Sequence, residues 1–257
     1  MSVSQPEYIG AADRRLFAIV DGNLAEADAL LVLCVPLLHE HFMSYRMLSL
    51  ACRRLAKQGW ATLRFDYFGS GDSGGDDVDF SLAGASIDTR TAIAWMRERS
   101  RASLLLAGVR GGAWPAISCA DAADRLLLWQ PLASGADWLG DLLKADLAER
   151  SDRERFPLLP KLPKSAEPDW LLGSHCSAEL RNELLFADWP EPPRIPVDLA
   201  AHAESILADR WPYARQLTLS PTIAGWVNKI DMQNRNLFGD ELWAAVDWIG
   251  TSFKARP

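Results

Sequence analysis

Apolar runs in the first half of the chain alternate with stretches whose apolar residues recur at helical spacing. Near-continuous apolar runs of about four to eight residues are typical of parallel strands covered on both faces. In Ser44–Gln58 the apolar side chains instead fall on one helical face, and Gly59 follows as a stop signal. Strands that alternate with helices predict right-handed βαβ units in a mostly parallel central sheet with helices on both faces. The other predicted elements are strands at Arg14–Asp21, Ala29–Pro36, Ala61–Tyr67, Ser103–Val109 and Leu126–Gln130, and helices at Ser81–Arg99 and Gly111–Ala123.

The alternation stops between residues 135 and 194, where prolines, tryptophans and a charged helical stretch at Leu142–Arg155 occur together. We interpret this segment as a helical, Trp- and Pro-rich cap without a core of its own. The core is then formed by residues 1–134 and 195–257. The elements predicted after the cap are strands at Ile195–His202 and Gln216–Ser220 and a last helix at Asp240–Phe253.

Composition and charge exclude several classes of function. Of the 257 residues, 49% are hydrophobic and 24% are charged, which is typical of a globular protein. The net charge of −7 and the absence of a Lys/Arg block argue against nucleic acid as a partner. No apolar run reaches the roughly 18 residues of a membrane span. The N-terminal residues lack the pattern of a secretory signal, so we expect a cytoplasmic protein.

The cysteines and glycines predict neither a metal site nor a cofactor. Cys34, Cys52, Cys119 and Cys176 are widely spaced without a CxxC pair, which favours buried free thiols. The sequence contains no dinucleotide-binding glycine motif that opens a helix after the first strand, and no Walker-type loop. We therefore expect no cofactor.

The segment Gly108–Gly112 has the spacing of a nucleophile elbow, the sharp strand-to-helix turn G-x-S-x-G of α/β-hydrolases. Its glycines stand where the turn needs small residues, but its central residue is Arg110. A guanidinium stays protonated at any ordinary pH and cannot act as a nucleophile. Two roles stay open for Arg110. It either binds an anion at the helix N-terminus, together with the Gly111 amide, or forms a structural pair with a nearby carboxylate.

The histidine of the usual catalytic triad is also missing from its place. In α/β-hydrolases this histidine lies in the loop before the last helix. That loop, Asn234–Asp240, contains asparagines, and no histidine follows His202. The sequence therefore predicts that the Ser-Asp-His triad is absent.

Two serines and two histidines are candidates for a relocated catalytic site. Ser70 and Ser73 lie in the glycine-rich loop after a predicted strand, but no helix follows Ser73, as an elbow would require. His39 and His41 flank Glu40, where hydrolases build half of the oxyanion hole, and are candidate general bases. One His-x-His without a second cluster does not predict a metal site. The predicted ligand-binding residues near the elbow are Arg110, Gly111, Leu38, His39, His41 and Gln130.

Three local patterns resemble the α/β-hydrolase-like proteins called exosortase A system-associated hydrolase 2. The patterns are PLLHEHFMSYRM, FDYFGSGDSGGD, and GVRGGA followed by LLLWQPLASG, and they span about residues 30–145. The resemblance implies an α/β-hydrolase fold, an elbow arginine that is a trait of the group, and a bacterial exosortase and exopolysaccharide context. The chain departs from the group in placing His39 and His41 around Glu40.

Three functional hypotheses stay open. The first is a catalytically degenerate protein that binds an anionic small molecule, a carboxylate-bearing chain or a partner in the retained pocket. The second is an active hydrolase or acyltransferase that uses Ser70 or Ser73 with His39 or His41. The third is a scaffold whose cap docks a protein partner.

Overall fold

The structure is a computed structural model that describes residues 4–152, 169–202, 205–219 and 240–254. Within these residues, eight strands form one central sheet, and two short strands form a separate antiparallel pair. The strands are β1 (Gln5–Ile9), β2 (Leu16–Asp21), β3 (Ala29–Cys34), β4 (Trp60–Phe65), β5 (Ser103–Val109), β6 (Arg125–Trp129), β7 (Trp170–Leu171), β8 (Ser174–His175), β9 (Val197–Ala201) and β10 (Arg215–Thr218). The short pair is β7 with β8.

The strand order in the central sheet is β1-β2-β4-β3-β5-β6-β9-β10. β2 is antiparallel to both β1 and β4, and the other neighbouring pairs are parallel. The predicted mostly parallel sheet is therefore confirmed, with an antiparallel hairpin at one edge. Every residue of β3, β4 and β6 is buried, because helices cover both faces of the sheet.

Helices in the described residues pack in pairs, α1 with α7, α2 with α3 and α4 with α5. The helices are α1 (His39–Ala56), α2 (Leu82–Arg99), α3 (Ala113–Ser118), α4 (Gly135–Ser151), α5 (Ala178–Leu185), α6 (Ile206–Arg210) and α7 (Asp240–Lys254). The α1–α7 pair is fixed by Arg54, which donates to both carboxylate oxygens of Asp247 at 2.6 Å. Because these residues are 193 positions apart, the pair ties the last helix to the first.

Several helix bounds differ from the predictions, and those of α1 and α3 bear on the site. α1 begins at His39 and not at Ser44, so His39 and His41 lie on a helix and not in a loop. Hydropathy missed this first turn because its side chains at Glu40 and His41 are polar, although both are buried. α3 ends at Ser118, earlier than predicted, because residues 120–122 form a 3₁₀ turn.

The described residues between β6 and β9 fold as α4, the β7–β8 hairpin and α5. Trp138 and Trp189 from this segment pack against Trp114 of α3, with ring centroids 6.1 and 5.8 Å from that ring. The indole N–H of Trp189 also donates to the Leu132 carbonyl at 2.8 Å. The segment therefore shares its apolar core with the sheet. Its boundaries as a cap, residues 135–194, stay a prediction.

Candidate functional site at the elbow

The turn between β5 and α3 has the backbone of a nucleophile elbow. Arg110 has a φ of 52°, a conformation that residues with side chains rarely adopt. Glycines make the turn possible by allowing close approach. A Cβ on Gly108 would lie 2.5 Å from the Ala113 Cα, and one on Gly112 would lie 2.3 Å from the Val35 carbonyl oxygen. The elbow is therefore built as its spacing indicates, with an arginine at the apex.

The Arg110 guanidinium forms a bidentate ion pair with Glu40, from the first turn of α1. Its Nε donates to Glu40 Oε2 at 3.1 Å, and its Nη2 donates to Oε1 at 3.0 Å. The Trp138 indole N–H donates to the same Oε1 at 2.9 Å. The Glu40 side chain is fully buried, whereas that of Arg110 is 17% exposed. Of the two roles open for Arg110, the structure shows the pair with a carboxylate, in the geometry that is strongest for these groups.

Gln130 and His202 continue this polar network at the ends of β6 and β9. The Gln130 carbonyl accepts from Arg110 Nη1 at 3.4 Å, and its side-chain Nε2 lies 2.7 Å from His202 Nε2. His202 Nδ1 lies 3.3 Å from the Leu219 carbonyl oxygen, which only accepts. The tautomer with its proton on Nδ1 fits both contacts, with Nε2 accepting from the Gln130 amide. Gln130, predicted from its place at the end of a strand, lies beside Arg110.

The loop before α1 packs directly on the elbow. Leu38 has a φ of 52° and a ψ of −135°, and α1 begins at the next residue. A Cβ on Gly111 would lie 2.9 Å from Leu37 Cγ, so the two segments meet without a gap. The predicted ligand residues Leu38 and Gly111 therefore border one region with Arg110. Ligand binding by them stays a prediction.

His41 points to a different partner from that of its neighbour Glu40. Its Nε2 lies 3.2 Å from Asp66 Oδ1, and its side chain is 5% exposed. His41 was predicted as a candidate general base, and α1 buries its ring against Asp66 in the loop after β4.

The two candidate serines lie in different environments. Ser73 Oγ donates to the Asp66 carbonyl at 2.6 Å and accepts from the Phe17 backbone N–H at 2.8 Å, so it closes the glycine-rich loop onto β2 and β4. Ser70 lines a cleft that His175 also lines, and neither His39 nor His41 is among the described residues of that cleft. Ser70 therefore lines the same cleft as His175, which was not among the predicted catalytic histidines.

Sequence reasoning did not assign Glu40, Trp138 or His202 to the site. His202 directly follows β9, and residues after parallel strands gather at the carboxyl edge of the sheet, so its position contained a usable signal. Glu40 pairs with a residue 70 positions away, so its sequence context contained no sign of this contact. Trp138 gave no signal, because only the packing of α4 against the elbow brings its indole to Glu40.

Comparison with solved structures identifies the fold. A serine hydrolase without lid from Xanthomonas campestris is 17% identical, with a TM-score of 0.57, and the match covers 99% of this chain and 97% of that one. A Butyrivibrio proteoclasticus protein with bound ferulic acid is 14% identical, covering 96% and 97%, with a TM-score of 0.62. An α/β-hydrolase from Penicillium sp. sh18 is 12% identical, covering 96% of each chain, with a TM-score of 0.64.

This chain has the α/β-hydrolase fold. At these identities the likeness shows the fold and not the activity. Neither a protein-family model nor a curated protein matches the sequence. In the part of the chain that the structure describes, no helix is both long and apolar enough to cross a membrane.

Proposed function

We propose that this α/β-hydrolase-fold protein lacks serine-hydrolase catalysis and binds a small molecule or partner at the carboxyl edge of its sheet. The observation that carries the proposal is the Arg110–Glu40 ion pair at the apex of the elbow. The protonated guanidinium cannot act as a nucleophile. The buried Glu40 carboxylate that pairs with it occupies the space beside the apex of the elbow. The absence of any histidine after His202 supports the same conclusion.

The ion pair joins three elements, because Glu40 belongs to α1, Arg110 to the elbow and Trp138 to α4. Desolvating two charges is costly, and replacing a buried pair by apolar residues is often neutral or stabilising. We infer that the pair is retained to fix the positions of these elements around the pocket and not for its contribution to stability.

An anionic ligand at Arg110 is part of this proposal, and it has to compete with Glu40 for the guanidinium. Glu40→Gln removes the competing charge and keeps the shape of the side chain. We expect this variant to bind acetate at least several-fold more tightly than the wild type, measured by titration with NMR detection, and Glu40→Gln/Arg110→Met to lose the gain. Equal acetate affinity in all three proteins would remove Arg110 from the ligand site.

The alternative of a relocated nucleophile now centres on Ser70, because Ser73 is bound to backbone groups and Ser70 shares its cleft with His175. Fluorophosphonate labelling, read by intact mass and peptide mapping, tests both functions. We expect no adduct on this protein while a control serine hydrolase is fully labelled. A stoichiometric adduct on Ser70 would contradict the loss of catalysis, and Ser70→Ala should then abolish it.

A protein partner on the segment between β6 and β9 is supported by exposed apolar side chains there, namely Leu147, Trp170, Leu185 and Phe186. The resemblance of three sequence patterns to exosortase-associated proteins supports a bacterial setting for such a partner. Hydrogen exchange on α4 and α5, with and without candidate exosortase-system proteins, tests this part. Unchanged exchange in both helices with all candidates would argue against it.

A further inference from the structure

A second site lies in a cleft between the Pro36–Leu38 segment, the glycine-rich loop after β4 and the β7–β8 hairpin. We propose that this cleft binds a small neutral molecule that has a hydroxyl group on an aromatic or short aliphatic body. The inference goes beyond the function proposed above, because Arg110 does not line the cleft and no elbow chemistry is involved.

The walls of the cleft are largely apolar. Leu37, Leu38, Phe42 and Phe80 contribute side chains, and the space is about 450 Å³ including its open mouth. Small-molecule sites are likewise mostly apolar with a few placed polar groups. The Tyr67 hydroxyl, also in the wall, donates to the Val35 carbonyl at 3.3 Å. Burial raises the pKa of Tyr67 well above its usual value, so this wall carries no charge.

Two polar groups of β8 line the cleft without partners. Ser174 is 7% exposed, and its Oγ is buried without a hydrogen-bond partner. Nδ1 of the next residue, His175, is also buried and unpaired. Because buried polar atoms in folded proteins are nearly always hydrogen-bonded, these two adjacent atoms have hydrogen-bonding capacity that water or a ligand hydroxyl can take up. Ser70, at the same cleft, adds a further hydroxyl. One ligand hydroxyl can donate to one of these atoms and accept from another.

The hairpin that carries Ser174 and His175 is held in place by α4. Leu172 and Gly173 have φ values of 50° and 85°, as in the tight turn of a two-residue hairpin. The Leu172 N–H donates to Asp146 Oδ1 at 3.0 Å, and Arg150 Nη2 donates to the Trp170 carbonyl at 2.7 Å. The turn is therefore fixed from both sides, which positions the polar atoms before a ligand arrives.

The charges around the cleft select against anions. Among the described residues that line it there is no lysine or arginine, and the carboxylate of Asp77 lies exposed at its edge. A ligand carboxylate would lose its hydration without gaining a cation. The site thus differs in charge preference from an anion site at Arg110, and the two can be tested apart.

The test uses the full chain and 4-methylphenol as the probe, measured by ligand-observed NMR titration. We expect saturable binding, with 4-methylbenzoate and toluene each at least about tenfold weaker. Ser174→Ala should weaken 4-methylphenol binding about fivefold, as expected for one lost hydrogen bond. His175→Phe keeps a ring against Trp170 and should weaken binding similarly. Ser118→Ala, on an exposed face of α3, is the matched control and should bind as the wild type does.

A variant whose side chain fills the cleft distinguishes a loss of binding from a folding defect. Ser70→Leu changes a partly exposed side chain and should block binding while leaving the thermal midpoint nearly unchanged. The proposal is overturned if 4-methylphenol does not bind at its solubility limit, if toluene or 4-methylbenzoate binds as tightly, or if Ser174→Ala and His175→Phe bind like the wild type. These binding measurements do not depend on fluorophosphonate labelling. This inference and the proposed loss of hydrolysis can therefore fail separately.

Discussion

At the scale of single residues, the arginine at the elbow matters through the carboxylate that accompanies it. A positive charge at the apex of this turn would be costly in a partly buried place without a partner. Glu40 supplies that partner, and Trp138 donates to the same carboxylate. A serine introduced at position 110 would leave Glu40 buried without its cation. We therefore expect Arg110→Ser to destabilise the protein without creating a hydrolase.

Removing Glu40 should show how strongly the pair is coupled to the fold. Glu40→Ala leaves the Arg110 guanidinium without its partner, and breaking a buried ion pair in this way destabilises proteins by about 3–5 kcal/mol. Urea unfolding measures the change in the free energy of unfolding. Glu98→Ala, at a side chain that is 72% exposed, is the control and should change it by less than about 0.5 kcal/mol. Equal effects of the two variants would show that the pair contributes nothing.

The cysteines provide a second prediction at this scale. All four are buried free thiols, as the sequence indicates. Burial raises the pKa of Cys34 and of Cys52 to about 12, and that of Cys119 to about 11. Since the thiolate is the reactive form, these three thiols should resist iodoacetamide at pH 8 in the folded protein and react fully in urea. Fast labelling of Cys34 or Cys52 without denaturant would contradict the burial.

At the scale of elements, α1 connects the site to the opposite end of the sheet. Its first turn supplies Glu40 to the elbow and His41 to Asp66, while its last turns contact α7 through Arg54. The second contact is between half-exposed side chains, so it adds little stability by itself. Its value lies in joining the first helix to the last.

The Arg54–Asp247 contact should make stability depend on acid pH. The hydrogen bonds from Arg54 lower the pKa of Asp247 below its usual 3.8. A depressed folded pKa means that the contribution is complete above about pH 4 and is lost as the pH falls through the folded value. Asp247→Asn should therefore lower the melting temperature slightly at pH 7, and the difference should shrink below about pH 4.

Thermal melts of both proteins across this pH range provide the measurement. Asp141→Asn, at an exposed contact with Lys144 within α4, is the matched control and should show a smaller difference at pH 7. A difference between the wild type and Asp247→Asn that grows towards acid pH would contradict the sign of the linkage.

At the scale of the whole molecule, tryptophans bind the segment between β6 and β9 to the core. Trp138 and Trp189 from this segment pack on Trp114, and Trp189 also packs on Trp211, which follows α6. These rings are buried, so separating the segment from the sheet would expose several of them at once. The segment and the sheet should therefore lose structure together.

Urea unfolding tests this cooperativity. Tryptophan fluorescence and far-ultraviolet circular dichroism should give coincident transitions, as a two-state domain does. Trp189→Ala should cost about 3–5 kcal/mol and shift both signals together. A fluorescence transition that precedes the loss of secondary structure would show instead that the segment unfolds as an independent unit.

The sequence alone determined the alternation of strands and helices, the elbow spacing and the arginine at the centre of the elbow, because these features depend on local periodicity and on residue identity. It did not determine what Arg110 contacts, since Glu40 is 70 positions away and Trp138 a further 28 beyond the elbow. It also missed the start of α1, where buried polar residues break the apolar pattern, and the cleft that unites Ser70 with Ser174 and His175. Such long-range contacts depend on how loops after distant strands converge at one sheet edge, and only the tertiary structure decided them.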